Sequence, residues 1–409
     1  MLCFYTSLFI NLMLPIAICR AEKLEDGGII SSLIDWVNGF PGGFFNSEKL
    51  EILPIQYAPV PTETTTFPPL GVFAKADVAA NELLMQIPPS AYIEVWGGKL
   101  VDDESWDVYY HNMCLLSKKL ETEMHLGDES LYAPYIRFLN KQAKGQIPAT
   151  WSNDARDILR ELLPEEIDGL SNGVDWIDDH FKGSCISPFD AFQEHIVALV
   201  KQRCYDDALI PLWDMVNHAN GPHINTNTTS WYDNGGIKVW ASQLIREGEE
   251  VFASYDGCVD CSTTAREWGT LEILRDFGFV EGYPHRYIYE DEDIWFEVVE
   301  VDKENDSLAV LWDDHINWED GERFGAPDRE GIEFLRSEVE EYEYLDKLIE
   351  ERDSLNVTPF EWSVIMQTKE VVVKDFILAI EEAELVLGMR GSNDDFVQTA
   401  DGSICAREF

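Results

Sequence analysis

Positive charge is what this sequence has least of. Against 77 Asp and Glu stand 30 Lys and Arg, a net charge of −47. A field of that sign repels phosphate backbones, whose recognition rests on basic side chains, so nucleic acid is excluded as a partner. The same field attracts basic protein substrates; the plainer reading is that acidic runs keep the chain soluble. Long apolar runs are also scarce. Beyond residue 19 none is long and apolar enough to span a bilayer, so no membrane span is expected in the mature chain. Internal repeats and low-complexity tracts are missing, which sets aside repeat arrays. What is present suffices for folded cores: 45% of residues are hydrophobic and 12% aromatic, with 13 Trp. A chain of 409 residues is too long for one compact core, so two or three domains are expected.

The first 19 residues carry no charged side chain, and Arg20, Glu22 and Lys23 follow. The stretch Leu8–Ile18 has the length of a signal-peptide apolar region, with Ala17-Ile18-Cys19 or Cys19-Arg20-Ala21 to supply the small residues of a cleavage site, so residues 1–21 read as a signal peptide. An uncleaved anchor and a buried N-terminal helix are the alternatives. A secreted or secretory-pathway protein is therefore expected, or an organelle reached by that route. Asn227, Asn305 and Asn356 begin Asn-x-Ser/Thr sequons, with Pro359 directly after the third. Without the signal, Cys114, Cys185, Cys204, Cys258, Cys261 and Cys405 remain, an even number that suits an oxidising lumen. Cys258-x-x-Cys261 is open to a structural disulfide, free thiols or half of a zinc site. No metal centre is expected.

Residues 22–64 read as an N-terminal extension with an amphipathic helix over Ile29–Val37, closed by Gly39-Phe40-Pro41-Gly42-Gly43. Gly71–Ala74 and Glu82–Pro88 are short apolar runs bounded by turn residues, hence strands. Residues 101–202 carry helical spacing, clearest over Tyr132–Leu139 and Phe189–Val200, with Ser187-Pro188 as a start signal. Strands return at Ile237–Trp240, Glu250–Ser254 and Ile294–Val301, the last forming a hairpin with Leu308–Trp312. Helices follow over Gly331–Glu351 and Pro359–Leu387. The order is strands, helical block, strands, helical tail.

Three segments decide the chemistry: Ile210-Pro211-Leu212-Trp213-Asp214-Met215-Val216-Asn217-His218, then Glu247-Gly248-Glu249-Glu250-Val251-Phe252-Ala253-Ser254-Tyr255-Asp256, then Leu274-Arg275-Asp276-Phe277-Gly278-Phe279-Val280. In this order they resemble the SET-domain protein methyltransferases, specifically the Rubisco large-subunit methyltransferase-like, split-SET branch. Gly71-Val72-Phe73-Ala74 followed by Asn81-Glu82-Leu83-Leu84 resembles that family's first strands. The resemblance spans roughly residues 65–390 and is strong in 65–95 and 200–282.

That resemblance implies an α+β fold: a SET fold of small curved β-sheets with a pseudoknot, interrupted by a helical insert and followed by a mostly helical C-terminal domain. The parts are 65–100 and 203–290 for the two SET pieces, 101–202 for the insert and 291–409 for a substrate-binding-like domain. It implies S-adenosyl-L-methionine as cofactor and methylation of a lysine on a non-histone protein; the charge balance adds that this substrate is basic, and a monomer is expected. Alternatives are a histidine acceptor, or a SET-like module that has lost catalysis and binds a basic partner. Tyr255 matches the active-site tyrosine. Leu70, Gly71, Arg203, Asn217, His218 and Tyr255 match cofactor contacts, with Arg203 suited to the cofactor carboxylate. Asp214 either supports this site or caps structure. Phe277 and Phe279 match the substrate channel. Two departures stand out: the first loop reads Pro68-Pro69-Leu70-Gly71 where the family has Gly-x-Gly, and Phe277 stands where Tyr is frequent.

Overall fold

The computed structural model describes residues 27–55, 68–95, 106–163, 173–205, 207–229, 235–255, 269–289, 294–302, 307–312, 326–350 and 354–391, with short pieces at 166–167, 170–171, 292, 396–398 and 404–406. The expected signal peptide, Asn305, Cys258 and Cys261 lie outside them.

Helix α1 (Gly27–Asn38) presents Leu33 and Val37, both fully buried, one turn apart on its inner face. Strands β1 (Phe44–Phe45) and β2 (Leu50–Pro54) follow, then β3 (Leu70–Ala74), β4 (Leu83–Ile87) and β5 (Ile93–Glu94). β2 pairs antiparallel with β3 and β1 with β4. The segment expected as an extension thus supplies two strands to the sheets, because Leu50 and Phe45 bury against the same core as Val72 and Met85.

The helical block holds α2 (Trp106–Leu126), α3 (Ala133–Leu139) and α4 (Asn153–Leu162), a two-residue pair β6 (Glu166–Ile167) and β7 (Leu170–Ser171), then α5 (Trp176–His180) and α6 (Ala191–Arg203). Asp190 caps α6 by accepting from the amides of Phe192 and Gln193, so the start lies beyond the expected Ser187-Pro188. A disulfide joins Cys114 of α2 to Cys185 ahead of α6. Cys204 is half-buried.

The chain then returns through β8 (Cys204–Tyr205), β9 (Ala208–Leu209), β10 (Asn217–His218), β11 (Thr226–Thr228), β12 (Ile237–Ala241) and β13 (Phe252–Ala253). These complete small sheets ordered β1-β4-β12-β11 and β5-β9-β8, and a parallel pair β10-β13. The strand expected over Glu250–Ser254 pairs only at β13; ahead of it Glu250 bridges Phe73 and the Val251 amide donates to Val72. Helix α7 (Thr270–Phe277) leads into a sheet of β14 (His285–Tyr289), β15 (Ile294–Asp302) and β16 (Ser307–Trp312), then α8 (Arg329–Glu350) and α9 (Pro359–Gly391). β15 and β16 form the expected antiparallel hairpin.

Two large cores result. One gathers Val72, Met85, Tyr92, Phe138, Val197, Val239 and Val251 beneath the small sheets and the insert. The other gathers Leu159 of α4 with Tyr287, Phe296, Tyr342 and Phe376 of the C-terminal part. α4 is bolted to that part, since Glu361 accepts from the Ser152 amide at 2.7 Å and from its hydroxyl at 2.9 Å. No helix among the described residues is long and apolar enough to cross a membrane.

Candidate active site

The first strand of the site enters at Leu70. Its carbonyl accepts from Asn217 Nδ2 at 3.1 Å, and the same amide donates to Glu250 Oε1 at 2.6 Å. Gly71 lies against both: a Cβ there would stand 2.2 Å from Glu250 Oε1 and 2.8 Å from Asn217 Nδ2, so a side chain at this position would displace the Glu250 carboxylate and the Asn217 amide. Burial raises the Glu250 carboxyl above the usual range, with the Asn217 amide opposing. Asn225 clamps the strand beyond, donating to the Glu250 carbonyl at 2.8 Å and accepting from the Phe252 amide at 2.7 Å.

The parallel register sets Asn217 opposite Phe252 and His218 opposite Ala253. Continuing past β13, the chain brings Tyr255 beside His218, where the Tyr255 amide donates to His218 Nδ1 at 2.9 Å. A nitrogen that accepts carries no proton, so the imidazole proton sits on Nε2, which donates to Glu281 at 2.7 Å. The Tyr255 hydroxyl donates to the Val216 carbonyl at 3.1 Å. Burial is the main cause that raises its pKa, with Arg203 opposing, so it stays un-ionised at neutral pH.

Phe277 and Phe279 complete the aromatic cluster. Their ring centroids lie 4.8 and 6.5 Å from that of Tyr255, and Phe279 lies 6.1 Å from His218. Gly278 between them has φ +79°, and a Cβ there would meet the Gln146 carbonyl oxygen at 1.8 Å. Only glycine allows the turn that ends α7 between the two phenylalanines.

Arg203 closes α6 and lies on the face of Phe138. It donates to the Asp214 carbonyl and Oδ2, both at 3.1 Å, and to Gln142 Oε1 at 2.5 Å. Tyr135 donates to Asp214 Oδ2 at 2.9 Å. Burial raises the Asp214 pKa, Arg203 opposing it. Asp214 thus orients Arg203. Two buried atoms of this pair, Arg203 Nε and Asp214 Oδ1, have no hydrogen-bond partner among the described residues. Leu212, two residues earlier, holds φ +68° with its side chain fully buried. Such a conformation costs on the order of 1–3 kcal/mol in a non-glycine residue and persists only where packing imposes it.

Leu70, Gly71 and Asn217 therefore meet in one contact, His218 and Tyr255 in a second, and Phe277 and Phe279 line the tyrosine. Arg203 is held within electrostatic reach of Tyr255 through the Asp214 segment. Sequence reasoning missed Glu250 as the partner of Asn217, and also Asn225, Tyr135 and Glu281. A carboxylate directly after the apolar pair Phe279-Val280 was the available signal for Glu281. Among the described residues no group of three or more His, Cys, Asp or Glu is arranged to hold a metal ion.

Residues 70–256 match the family model of the SET domain, so the chain carries a SET domain over that span, inside an α+β fold of small sheets with a helical C-terminal region. The chain is similar to the crystal structure of the SET domain of LSMT bound to lysine and AdoHcy, at 12% identity and a TM-score of 0.48, covering 90% of this chain and 95% of that one. It is likewise similar to Rubisco LSMT bound to AdoMet, at 11% identity and a TM-score of 0.46, covering 88% and 92%. A third, Rubisco LSMT bound to sinefungin and monomethyllysine, shows 13% identity and a TM-score of 0.45, covering 90% and 96%. Among curated proteins none matches the chain.

Proposed function

We propose that this protein is an S-adenosylmethionine-dependent protein-lysine N-methyltransferase of the Rubisco large-subunit methyltransferase-like branch, acting on a basic, non-histone protein. The observation that carries the reading is the setting of Tyr255. Its amide is fixed by His218, its hydroxyl hydrogen is committed to Val216, and its ring is flanked by Phe277 and Phe279.

When bound, S-adenosylmethionine supplies a methyl group on a sulfonium. The unpartnered Arg203 Nε and Asp214 Oδ1 offer a donor for a carboxylate and an acceptor for an ammonium, the two charges at its amino-acid end. Leu70, Gly71, Asn217 and His218 would hold the remainder. In-line transfer needs an acceptor nitrogen with a free lone pair, aligned on the methyl carbon. A lysine amine has an ordinary pKa of about 10.4, and the apolar rings around Tyr255 disfavour its ammonium form. With its hydrogen on Val216, the Tyr255 oxygen keeps lone pairs to accept from an amine N–H and so aim the nitrogen. An un-ionised hydroxyl suits that positioning role and not that of a base.

The test is incubation with methyl-labelled S-adenosylmethionine and a lysate, followed by identification of the labelled residue. Label on lysine is expected, with a rate on Lys-rich proteins that falls as salt rises, since exposed charges are screened beyond about 10 Å at 0.1 M. Label on histidine would change the acceptor. Absence of both label and calorimetric cofactor binding would replace the enzyme by a binding module. The Cys114–Cys185 disulfide and the exposed sequon residue Asn227 on β11 favour an oxidising, secretory compartment. Protein from its native host carrying a free Cys114 thiol would count against that.

A further inference from the structure

The tyrosine site hangs from one buried carboxylate that lies outside the three motifs. Glu281 follows α7 and the Phe279-Val280 pair, and its side chain is 2% exposed. Its Oε2 accepts twice, from His218 Nε2 at 2.7 Å and from Asn220 Nδ2 at 2.8 Å. Its Oε1 accepts from the Thr270 hydroxyl at 2.5 Å, and Thr270 Oγ1 in turn accepts from the Arg286 amide at 2.9 Å.

Both residues held on Oε2 reach the same stretch of chain. His218 Nδ1 takes the Tyr255 amide at 2.9 Å, and Asn220 Oδ1 takes the Ser254 hydroxyl at 3.2 Å. The strand pair β10-β13 fixes residues 217–218 against 252–253, and its ladder continues to the Ala219 amide on the Ala253 carbonyl. Past that point, side chains also hold Ser254 and Tyr255, and the two that do so, Asn220 and His218, both end on Glu281. On its other side Glu281 is anchored to the start of α7 and to β14, so it links the tyrosine to the C-terminal sheet.

We propose that Glu281 is a positioning residue for Tyr255. By accepting from His218 Nε2 it selects the tautomer whose Nδ1 is bare, and a bare Nδ1 is what the Tyr255 amide requires. With no acceptor at 281 the proton can move to Nδ1, where it would face the Tyr255 N–H donor to donor and push the tyrosine off its setting. Misplacement of a reacting group by about 1 Å costs up to roughly 100-fold in rate. Glu281 touches neither the methyl donor nor the acceptor in this scheme, so its effect should pass entirely through Tyr255. The proposal rests on the methyltransferase reading only for its kinetic arm.

Three measurements test it. Nitrogen-15 spectra of the wild-type His218 ring should show protonated Nε2 and bare Nδ1, and Glu281→Met, which fills the space but offers only a weak thioether acceptor, should erase that pattern. In turnover, Glu281→Met should lower kcat by about 10- to 100-fold in the wild-type background but add little in a Tyr255→Phe background, because the step it supports is already lost. Glu281→Gln, whose amide oxygen still accepts from His218, should recover most of the rate. Fully additive losses in the double variant would mark Glu281 as merely structural and overturn the proposal. So would a protonated Nδ1 in the wild type, a result that needs no variant to fold. If the wild type transfers no methyl group, the methyltransferase reading fails while the ring spectra still decide whether Glu281 sets His218.

Discussion

Two buried histidine–carboxylate pairs sit close together in this chain, and they do different things. His218 meets Glu281 and His285 meets Asp375, each at 2.7 Å with both side chains almost wholly enclosed. The difference lies in the second ring nitrogen. That of His218 accepts from the Tyr255 main chain, so the pair sets the side chain proposed to aim the acceptor. That of His285 reaches the Glu281 carbonyl at 3.1 Å, while Asp375 also accepts from Tyr287 at 2.7 Å and Tyr283 at 3.2 Å. Asp375 lies on α9 and its partners on or beside β14, so this second pair fastens the long helix to the sheet. The same chemistry serves geometry of one side chain in the first case and attachment of a whole element in the second.

If that division holds, removing Asp375 should cost stability and spare chemistry. Asp375→Ala takes the acceptor from the buried His285 and Tyr287 and from the half-buried Tyr283, and breaking such a buried hydrogen-bonded pair costs about 3–5 kcal/mol. Denaturant titration should show a loss of that size, with turnover per folded molecule near wild type. An equal collapse of turnover would erase the contrast between the two pairs.

The next largest effect is expected in the insert. The Cys114–Cys185 bridge closes a separation of 71 residues. Cys114→Ser should cost about 2–4 kcal/mol and leave the Tyr255 site unchanged. A rate loss without a stability loss would mean that the insert acts on the site directly.

A smaller effect separates Asp375 from another acid of the same region. The Glu338 carboxyl on α8 is pushed up to about 7 by burial, with Glu341 and Glu292 adding to it and the Tyr289 hydroxyl opposing. In the unfolded chain its pKa returns to about 4.3. The folded form therefore holds more protons between those values, and stability falls as pH rises through that window, the penalty being complete above about 7. Glu338→Gln should stabilise the protein at pH 8 by on the order of 1 kcal/mol, discounted for partial exposure, and give no gain near pH 4. A gain at both pH values would point to packing instead.

Much of this architecture could be read from the residues. Apolar spacing located α1, α3, α6 and the hairpin β15-β16 to within a few residues, because each buries one regular face. Glu250–Ser254 was harder. Its apolar residues bury as a strand's would, yet its backbone is shared among Phe73, Val72 and Asn217, so only two residues form a regular ladder. The motifs pointed to Leu70, Gly71, Asn217, His218, Tyr255, Phe277 and Phe279, and these come together. Their supports did not show. Asn217 and Glu250 are 33 residues apart, His218 and Glu281 63, and Tyr135 and Asp214 79. Such pairings depend on how the small sheets fold over one another, which no local pattern encodes. The Cys114–Cys185 bridge was hidden for the same reason, since it requires α2 to meet the segment between α5 and α6.

The most direct trial is turnover and cofactor binding in Tyr255→Phe beside Asn217→Ala. On the proposed reading, losing the hydroxyl removes a polar contact made in the transition state, typically about 2–4 kcal/mol, so a loss of roughly 30- to 1,000-fold in turnover is expected with cofactor affinity nearly intact. Asn217→Ala, which releases the Leu70 carbonyl and Glu250, should weaken cofactor binding together with activity. Wild-type turnover in Tyr255→Phe would contradict the assignment of this tyrosine as the group that aims the acceptor amine.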